Sequence, residues 1–409
     1  MTKAAILPFP TTPQPRKRIA FVINSLGQGG AERVMDNIMR MTPQGDWECH
    51  LVLLDRTPEH RVPPDFVTIH RLDCDLKLVP SIRQLRKTLG EIKPDLVVAF
   101  LVRANIAAVI AARSVGATCI ISERSNLTTH FAERHSGINL FAASLASRLV
   151  YPHADHIIAV SEGVRTDLIQ NFNIRPERAT SLPNPYDLDE IAQQGAAEPE
   201  FPLPERYMVS LGRFVAAKGF DDLINAYAIA QPAMPLVILG EGEERSNLER
   251  LIASLGLHDR IFLPGYAKNP FAVVGRAEMF VSASHCEGFP NAMAEAMALG
   301  LPIVATDCPS GPAEILAGVE TVASTGIIEA DHGILVPVRQ PELLARAITL
   351  MSDPKRRQHY AAMARRRMDD YRIHAITARY WKTFSDVLAG RPVSARAQPL
   401  RPASDRETA

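Results

Sequence analysis

Short runs of apolar, often β-branched residues alternate with stretches at helical spacing along nearly the whole chain. "RIAFVI" precedes a helix that starts near Ala31. "HLVLLD" leads through an irregular stretch to "TIHRL" and the helix "SIRQLRKTLGEI", and "DLVVAF" leads to "NIAAVIAARSVG". "CIISE" is followed by a long helical region ending near Val150, and "HIIAVS" by "EGVRTDLIQNF". Strands apolar on both faces belong in a parallel sheet, because helical crossovers cover each side. The figure closes at "SLPNPYDLDEI", crosses the proline-rich "AAEPEFPLPERY" and restarts with "YMVSLG", "PLVILG", "IFLPG", "MFVSAS", "PIVATD" and "HGILVP".

The same architecture written twice predicts an α/β protein of two Rossmann-like, doubly wound domains facing a central cleft. A chain of 409 residues suits two domains better than one core. The expected boundaries are a disordered N-terminus over 1–17, a first domain over 18–190 and a linker over 191–206. A second domain over 207–371, a helix over 372–389 and a disordered tail over 390–409 complete the chain. In such sheets ligands bind beyond the carboxyl ends of the strands, so the chemistry is expected in the cleft.

Composition narrows the class. Lys+Arg and Asp+Glu number 45 each, so no global charge points to nucleic acid. The five cysteines (Cys49, Cys74, Cys119, Cys286, Cys308) are scattered and without a C-x-x-C pair, as in a reducing compartment. No apolar run reaches the ~18 residues that span a bilayer. The opening "MTKAAILPFPTTPQPRKR" is too broken by prolines for a signal peptide. A cytoplasmic protein, or one peripheral on the inner face of the cytoplasmic membrane, is expected.

The candidate chemistry gathers at strand ends. In "SHCEGFPNAMAEAMALGLPIVAT" Glu287 follows a strand, and Gly288, Phe289 and Pro290 turn into a helix with its N-cap near Pro290 or Asn291. Free N–H groups and the positive end of the helix dipole suit a diphosphate there. Glu287 in the turn and Glu295 on the helix read as hydroxyl holders flanking that phosphate, or as an exposed loop acid and a solvated helix acid. "VSLGRFVAAKGF" places Arg213 and Lys218 after another strand, within reach of one anion, though solvated loop cations would look the same. In "ILGEGEER", Gly240 and Gly242 leave room for a flat base, while Glu243 and Glu244 read as ordinary turn residues. "TDCPSGPAEIL" sets Ser310, Gly311 and Glu314 at a fourth strand end.

The stretches "GRFVAAKGF", "GEGEER" and "EGFPNAMAEAMALGLPIVATDCPSGPAEIL" resemble the retaining glycosyltransferases of family 4, of the two-domain GT-B fold. The resemblance runs from Arg18 to about Leu388 and rests above all on two glutamates, Glu287 and Glu295, separated by seven residues. It implies that Arg213 and Lys218 bind a donor's diphosphate, that Glu295 holds its ribose and that Glu287 contacts its sugar. It also implies that the backbone at Phe289, Pro290 and Asn291 lies against phosphate and sugar. "GGAER", with Gly29 and Gly30, would approach the diphosphate from the first domain, and the helix around Tyr380 to Leu388 would cross back onto that domain. Catalysis then means stabilising the leaving diphosphate and orienting an acceptor, with Glu287, Arg213 and Lys218 as the catalytic set and neither metal nor cofactor. The donor is expected to be a UDP-hexose or UDP-N-acetylhexosamine, and the product a bacterial surface polysaccharide or other glycan. The acceptor is expected to be a glycan, polyprenyl-diphosphate-linked as for many relatives. The basic helix "SIRQLRKTLGEIK", Arg134 and Arg148 suit an anionic lipid surface, or are simply solvated cations.

Where many relatives carry a histidine, "CIISERSN" has Ser122, Glu123 and Arg124, leaving Glu123 and Arg124 as acceptor-side candidates. His130 and His135 are nearby, but lone loop histidines are more often surface residues. "DCD", Asp73 to Asp75, matches a metal-binding carboxylate pair but reads as a solvated loop. Three rivals stand beside this reading. A dinucleotide-binding dehydrogenase could use Asp55 for the ribose, but needs a third glycine where Glu32 follows Gly27 and Gly29. An epimerase or phosphorylase could share the fold, though no pyridoxal-lysine context is evident. A non-catalytic nucleotide-sugar-binding protein is the third.

Overall fold

A computed structural model of the chain describes residues 16–27, 29–134 and 138–394, apart from the side chains of residues 130 and 133–142. His135 lies outside the described residues, as do the side chains of His130 and Arg134.

The first sheet holds β1 (Lys17–Ile23), β2 (Trp47–Leu53), β3 (Thr68–Arg71), β4 (Leu96–Phe100), β5 (Thr118–Glu123), β6 (His156–Ala159) and β7 (Ala179–Ser181). Their order is β3-β2-β1-β4-β5-β6-β7, and every pairing is parallel. The second sheet holds β8 (Met208–Leu211), β9 (Leu236–Leu239), β10 (Ile261–Gly265), β11 (Met279–Ser282), β12 (Ile303–Thr306), β13 (Ile328–Ala330) and β14 (Gly333–Val336). It repeats the order as β10-β9-β8-β11-β12-β14-β13, parallel except for the β13–β14 hairpin. Ile19 to Ile23 and Leu96 to Phe100 are fully buried, as two-sided strands must be. In each sheet the first strand sits between neighbours reached in opposite directions, which opens a crevice at its carboxyl end.

The helix Ile373–Leu388 closes the molecule by packing Ile376, Tyr380, Trp381 and Phe384 into the first domain's core beside Ile19, Phe21 and Met35. Trp381 Nε1–H donates to the Ile38 carbonyl at 3.1 Å, and the Tyr380 hydroxyl to the Leu182 carbonyl at 3.0 Å.

Several expected limits shift. Lys17 opens β1 opposite Trp47, so order starts before Arg18. The span expected as linker begins inside the helix Leu188–Gly195, which Asp187 caps. Beyond the last helix the chain stays anchored, with Arg391 on Asp386 and the Ser394 carbonyl accepting from Thr180. Residues 1–15 and 395–409 of the expected disordered ends lie outside the described residues.

Candidate active site

Two loops of the second domain carry the cationic and acidic groups. After β8 the turn Ala216–Lys218 and a left-handed Gly219 send the chain into the helix Phe220–Ala230. After β11 the chain turns through Glu287 to Pro290, the N-cap of the helix Asn291–Ala298. The His285 N–H donates to the Ala217 carbonyl at 2.8 Å, and its Nε2 meets Asp222 Oδ2 at 2.8 Å, so the loops are fastened together. Lys218 Nζ therefore lies 2.5 Å from Glu287 Oε1, which also accepts from Ser284 Oγ at 2.8 Å. Two donors fix Glu287, and the ammonium keeps N–H groups for a ligand. Arg213 is exposed and, among the described residues, forms no ion pair.

The first domain brings a second helix to this spot. The helix Gly30–Arg40 starts from an extended Gly29, and a Cβ on Gly30 would run into the side-chain amide of Asn291. One turn further, Arg33 lies 2.7 Å from Glu295. The first turns of the two helices therefore meet, with their N-termini together. Their unpaired N–H groups and positive dipole ends converge beside Arg213 and Lys218. The Glu32 carboxylate folds back over Gly29 at this place. Burial raises its pKa, while its own N–H, Arg61 and Arg213 act in the opposite sense.

Polar contacts also cross the cleft. Asn291 Oδ1 accepts from Asn184 Nδ2 and from the Tyr186 hydroxyl, both at 2.6 Å. Phe289 stacks on Tyr186 at 6.5 Å between centroids and meets Tyr371 edge-on at 5.7 Å. Ser161 Oγ donates to the Gly288 carbonyl at 2.8 Å. Arg33, Arg61, Asn184 and Tyr186 were not among the residues singled out from the sequence. Arg33 lies within "GGAER", and Asn184 and Tyr186 flank Pro185 just past the last strand, which was the available signal.

Other expected site residues have structural duties. Side chains on Gly240 or Gly242 would strike the backbone of Gly212 and Phe214, so these glycines admit the neighbouring loop. Gly288 faces the Arg124 carbonyl in the same way. Pro290 has no N–H, so the free donors of its helix start at Asn291. Ser310 Oγ donates to the Glu287 carbonyl at 3.2 Å, and Gly311 packs on Pro290, backing the turn from behind. Glu314 reaches across the domains and accepts from the N–H groups of Glu162 and Gly163 at 2.9 and 3.0 Å.

Both acceptor-side candidates are engaged. Glu123 is 1% exposed, accepting from the Tyr151 hydroxyl, the Ser125 hydroxyl and the N–H groups of Arg124 and Ser125. Burial pushes its pKa up against those four bonds. Arg124 lies over the Phe100 ring and donates to Asn184, Ser122 and Tyr380. An acceptor would have to displace these contacts.

Asp55 is bound by Arg103 and by the Leu76 N–H, which takes it from any ribose. Asp73 and Asp75 are exposed, with Asp75 paired to Lys77 at 2.5 Å. Among the described residues, one group with metal-ligand chemistry gathers elsewhere: Asp221, Asp222 and His285, whose ring already pairs with Asp222.

Two doubly wound domains, with helix N-termini and basic side chains converging between them, define a GT-B glycosyltransferase. The chain belongs to glycosyltransferase family 4: that family's model matches residues 28–190, and the model for glycosyl transferases group 1 matches residues 194–367. It is 31% identical to the N-acetylgalactosamine-N,N'-diacetylbacillosaminyl-diphospho-undecaprenol 4-alpha-N-acetylgalactosaminyltransferase of Campylobacter jejuni, over 86% of this chain and 94% of that one. It is 26% identical to the lipopolysaccharide 1,6-galactosyltransferase of Escherichia coli, over 73% of this chain and 82% of the relative. Among solved structures it resembles Anabaena HepE in complex with UDP and glucose, with a TM-score of 0.70 and 20% identity, covering 91% and 100% of the two chains. Sucrose-phosphate synthase from Thermosynechococcus elongatus gives a TM-score of 0.73 at 17% identity, covering 92% and 100%.

Proposed function

We propose that the protein transfers a hexose or N-acetylhexosamine from a UDP-sugar to a polyprenyl-diphosphate-linked saccharide, with retention at the anomeric carbon. One observation carries the donor half: two helix N-termini from different domains meet beside Arg213 and Lys218. That arrangement favours a diphosphate, and favours it more as negative charge develops on departure of the sugar. Glu287, fixed by Lys218 and Ser284, faces the sugar, and Glu295 the ribose. The leaving diphosphate is stabilised by cations and backbone N–H groups, so the reading needs no metal. The UDP bound by Anabaena HepE supports the base, and the Campylobacter relative supports the acceptor class.

A surface on the first domain fits a lipid-borne acceptor. The helix Leu78–Ile92 exposes Arg83, Arg86 and Lys87 along with Val79, and Leu76 projects just before it. The helix Ile138–Val150 exposes Leu145, Arg148 and Leu149. Cations interspersed with exposed aliphatic side chains suit the edge of an anionic bilayer. No helix among the described residues is long and apolar enough to cross a membrane.

The test is a transfer assay with UDP-sugars and a polyprenyl-diphosphate-linked saccharide, with the new linkage read by NMR. An α-linked product from an α-linked donor is expected. A β-linked product overturns retention. Transfer to a free saccharide that equals or exceeds transfer to the lipid-linked one removes the lipid-linked acceptor.

A further inference from the structure

The two glycines of "GGAER" are small for different reasons. Gly30 faces Asn291 of the other domain, whereas a Cβ on Gly29 would run into both carboxylate oxygens of Glu32. Gly29 has extended backbone angles that any residue adopts, so its lack of a side chain answers that carboxylate alone. Glu32, third residue of the helix Gly30–Arg40, is half-buried and accepts from its own N–H. The charged groups that act on it are Arg61, from the loop after β2, and Arg213, from the loop after β8. Arg33, next in the chain, is directed to Glu295, and the facing helix presents the neutral Asn291. Burial holds the Glu32 pKa above the usual 4.5, against the N–H and both cations.

A carboxylate turned back over the first turn is a common helix cap. Here the N–H groups beneath it and the Arg213 beside it are those that suit a diphosphate, so two anions would meet at one spot. Like charges in contact disfavour ionisation, and burial has already weakened the charged form of Glu32. The esterified phosphates of a nucleotide sugar are too acidic to take the proton, which leaves the carboxyl to take it. Once neutral, it carries an O–H donor, and an O–H on a phosphate oxygen makes a short, charge-assisted bond. Swinging the side chain into solvent would have the opposite sign: an exposed carboxyl returns to its ordinary pKa and releases a proton.

We propose that Glu32 couples donor binding to proton uptake: as the diphosphate settles over the start of the helix Gly30–Arg40, the carboxylate takes one proton from solvent and donates the new O–H to a phosphate oxygen. The inference rests on the nucleotide-sugar reading of this site and adds to it a group that changes its charge with the ligand.

The test is calorimetric titration of UDP-glucose and UDP-N-acetylgalactosamine into the full chain, as wild type and Glu32→Gln, between about pH 6 and 8. Each titration is repeated in buffers of different ionisation enthalpy, which reads the protons taken up, and thermal unfolding controls for folding. Wild type is expected to take up a proton on binding and to lose affinity by up to about 10-fold per pH unit as pH rises. Glu32→Gln, neutral at every pH, should take up none, hold a constant affinity and bind more tightly than wild type at the upper end of the range. If Glu32→Gln does not fold, Glu32→Ala gives the same comparison, since it also lacks the titrating group. Proton release by wild type, uptake that persists in the mutant, or a mutant effect equal at every pH overturns the inference and leaves the nucleotide-sugar reading standing. Failure of both UDP-sugars and of their GDP and TDP counterparts to bind wild type overturns that reading and this inference with it.

Discussion

At the scale of single residues, Gly30 shows why this position favours the smallest side chain. A Cβ there meets Asn291 of the other domain, so any larger residue wedges the two helix N-termini apart. Nucleotide held mainly by Arg213, Lys218 and Glu295 would still bind. Gly30→Val is therefore expected to lower kcat by about 100-fold or more, the scale seen when donors to a developing charge are misplaced, with a much smaller loss in UDP affinity. Equal losses in steady-state kinetics and calorimetry would make the loop part of the primary nucleotide site instead. Glu287→Gln tests the neighbouring pair. It keeps the shape but removes the charge that holds Lys218, so kcat is expected to fall while thermal stability changes little.

Among secondary-structure elements, the clearest coupling is between Glu314 and the helix Glu162–Asn171. The carboxylate caps that helix from the opposite domain, yet burial pushes its pKa up to about 7, with the two N–H groups acting the other way and Glu162 and Glu320 adding to the rise. The folded chain thus binds this proton more tightly than the unfolded one. The stability it lends is complete below the ordinary value of 4.5 and is lost as pH rises through about 7. Melting temperatures should therefore fall for wild type between about pH 5 and 8 relative to Glu314→Gln, which cannot titrate. A constant difference between the two proteins across that window would mean that Glu314 keeps its ordinary pKa.

Elements were also where the sequence was most legible. The order of strands and helices could be read because two-sided apolar runs and helical spacing are local signals, and the pair Glu287 and Glu295 sits within one turn and its helix. The close approach of the Gly212 and Phe214 backbone to the glycines at 240 and 242 could not be read from the sequence, because a small residue fits a ligand or a neighbouring backbone equally well until the fold is known. The contacts of Arg33 with Glu295 and of Asn184 with Asn291 join residues more than a hundred positions apart, and no periodicity encodes them. Glu123 looked open because it ends a strand facing the cleft. Tyr151, 28 positions away, covers it.

In the whole molecule, the domains are joined by the terminal helix, by the Asn184–Asn291–Tyr186 contacts and by the two helix starts, and the last two meet at Asn291. The central claim is that this spot holds the diphosphate of a nucleotide sugar. The most direct measurement is calorimetric titration of UDP-, GDP- and TDP-sugars, and of NAD, into wild type and an Arg213→Ala/Lys218→Ala double mutant. One class of nucleotide sugar is expected to bind wild type, with affinity reduced about 100-fold or more in the double mutant through loss of two charge-assisted contacts. Binding of NAD with no nucleotide sugar, or nucleotide-sugar binding unchanged by loss of both cations, would contradict the account.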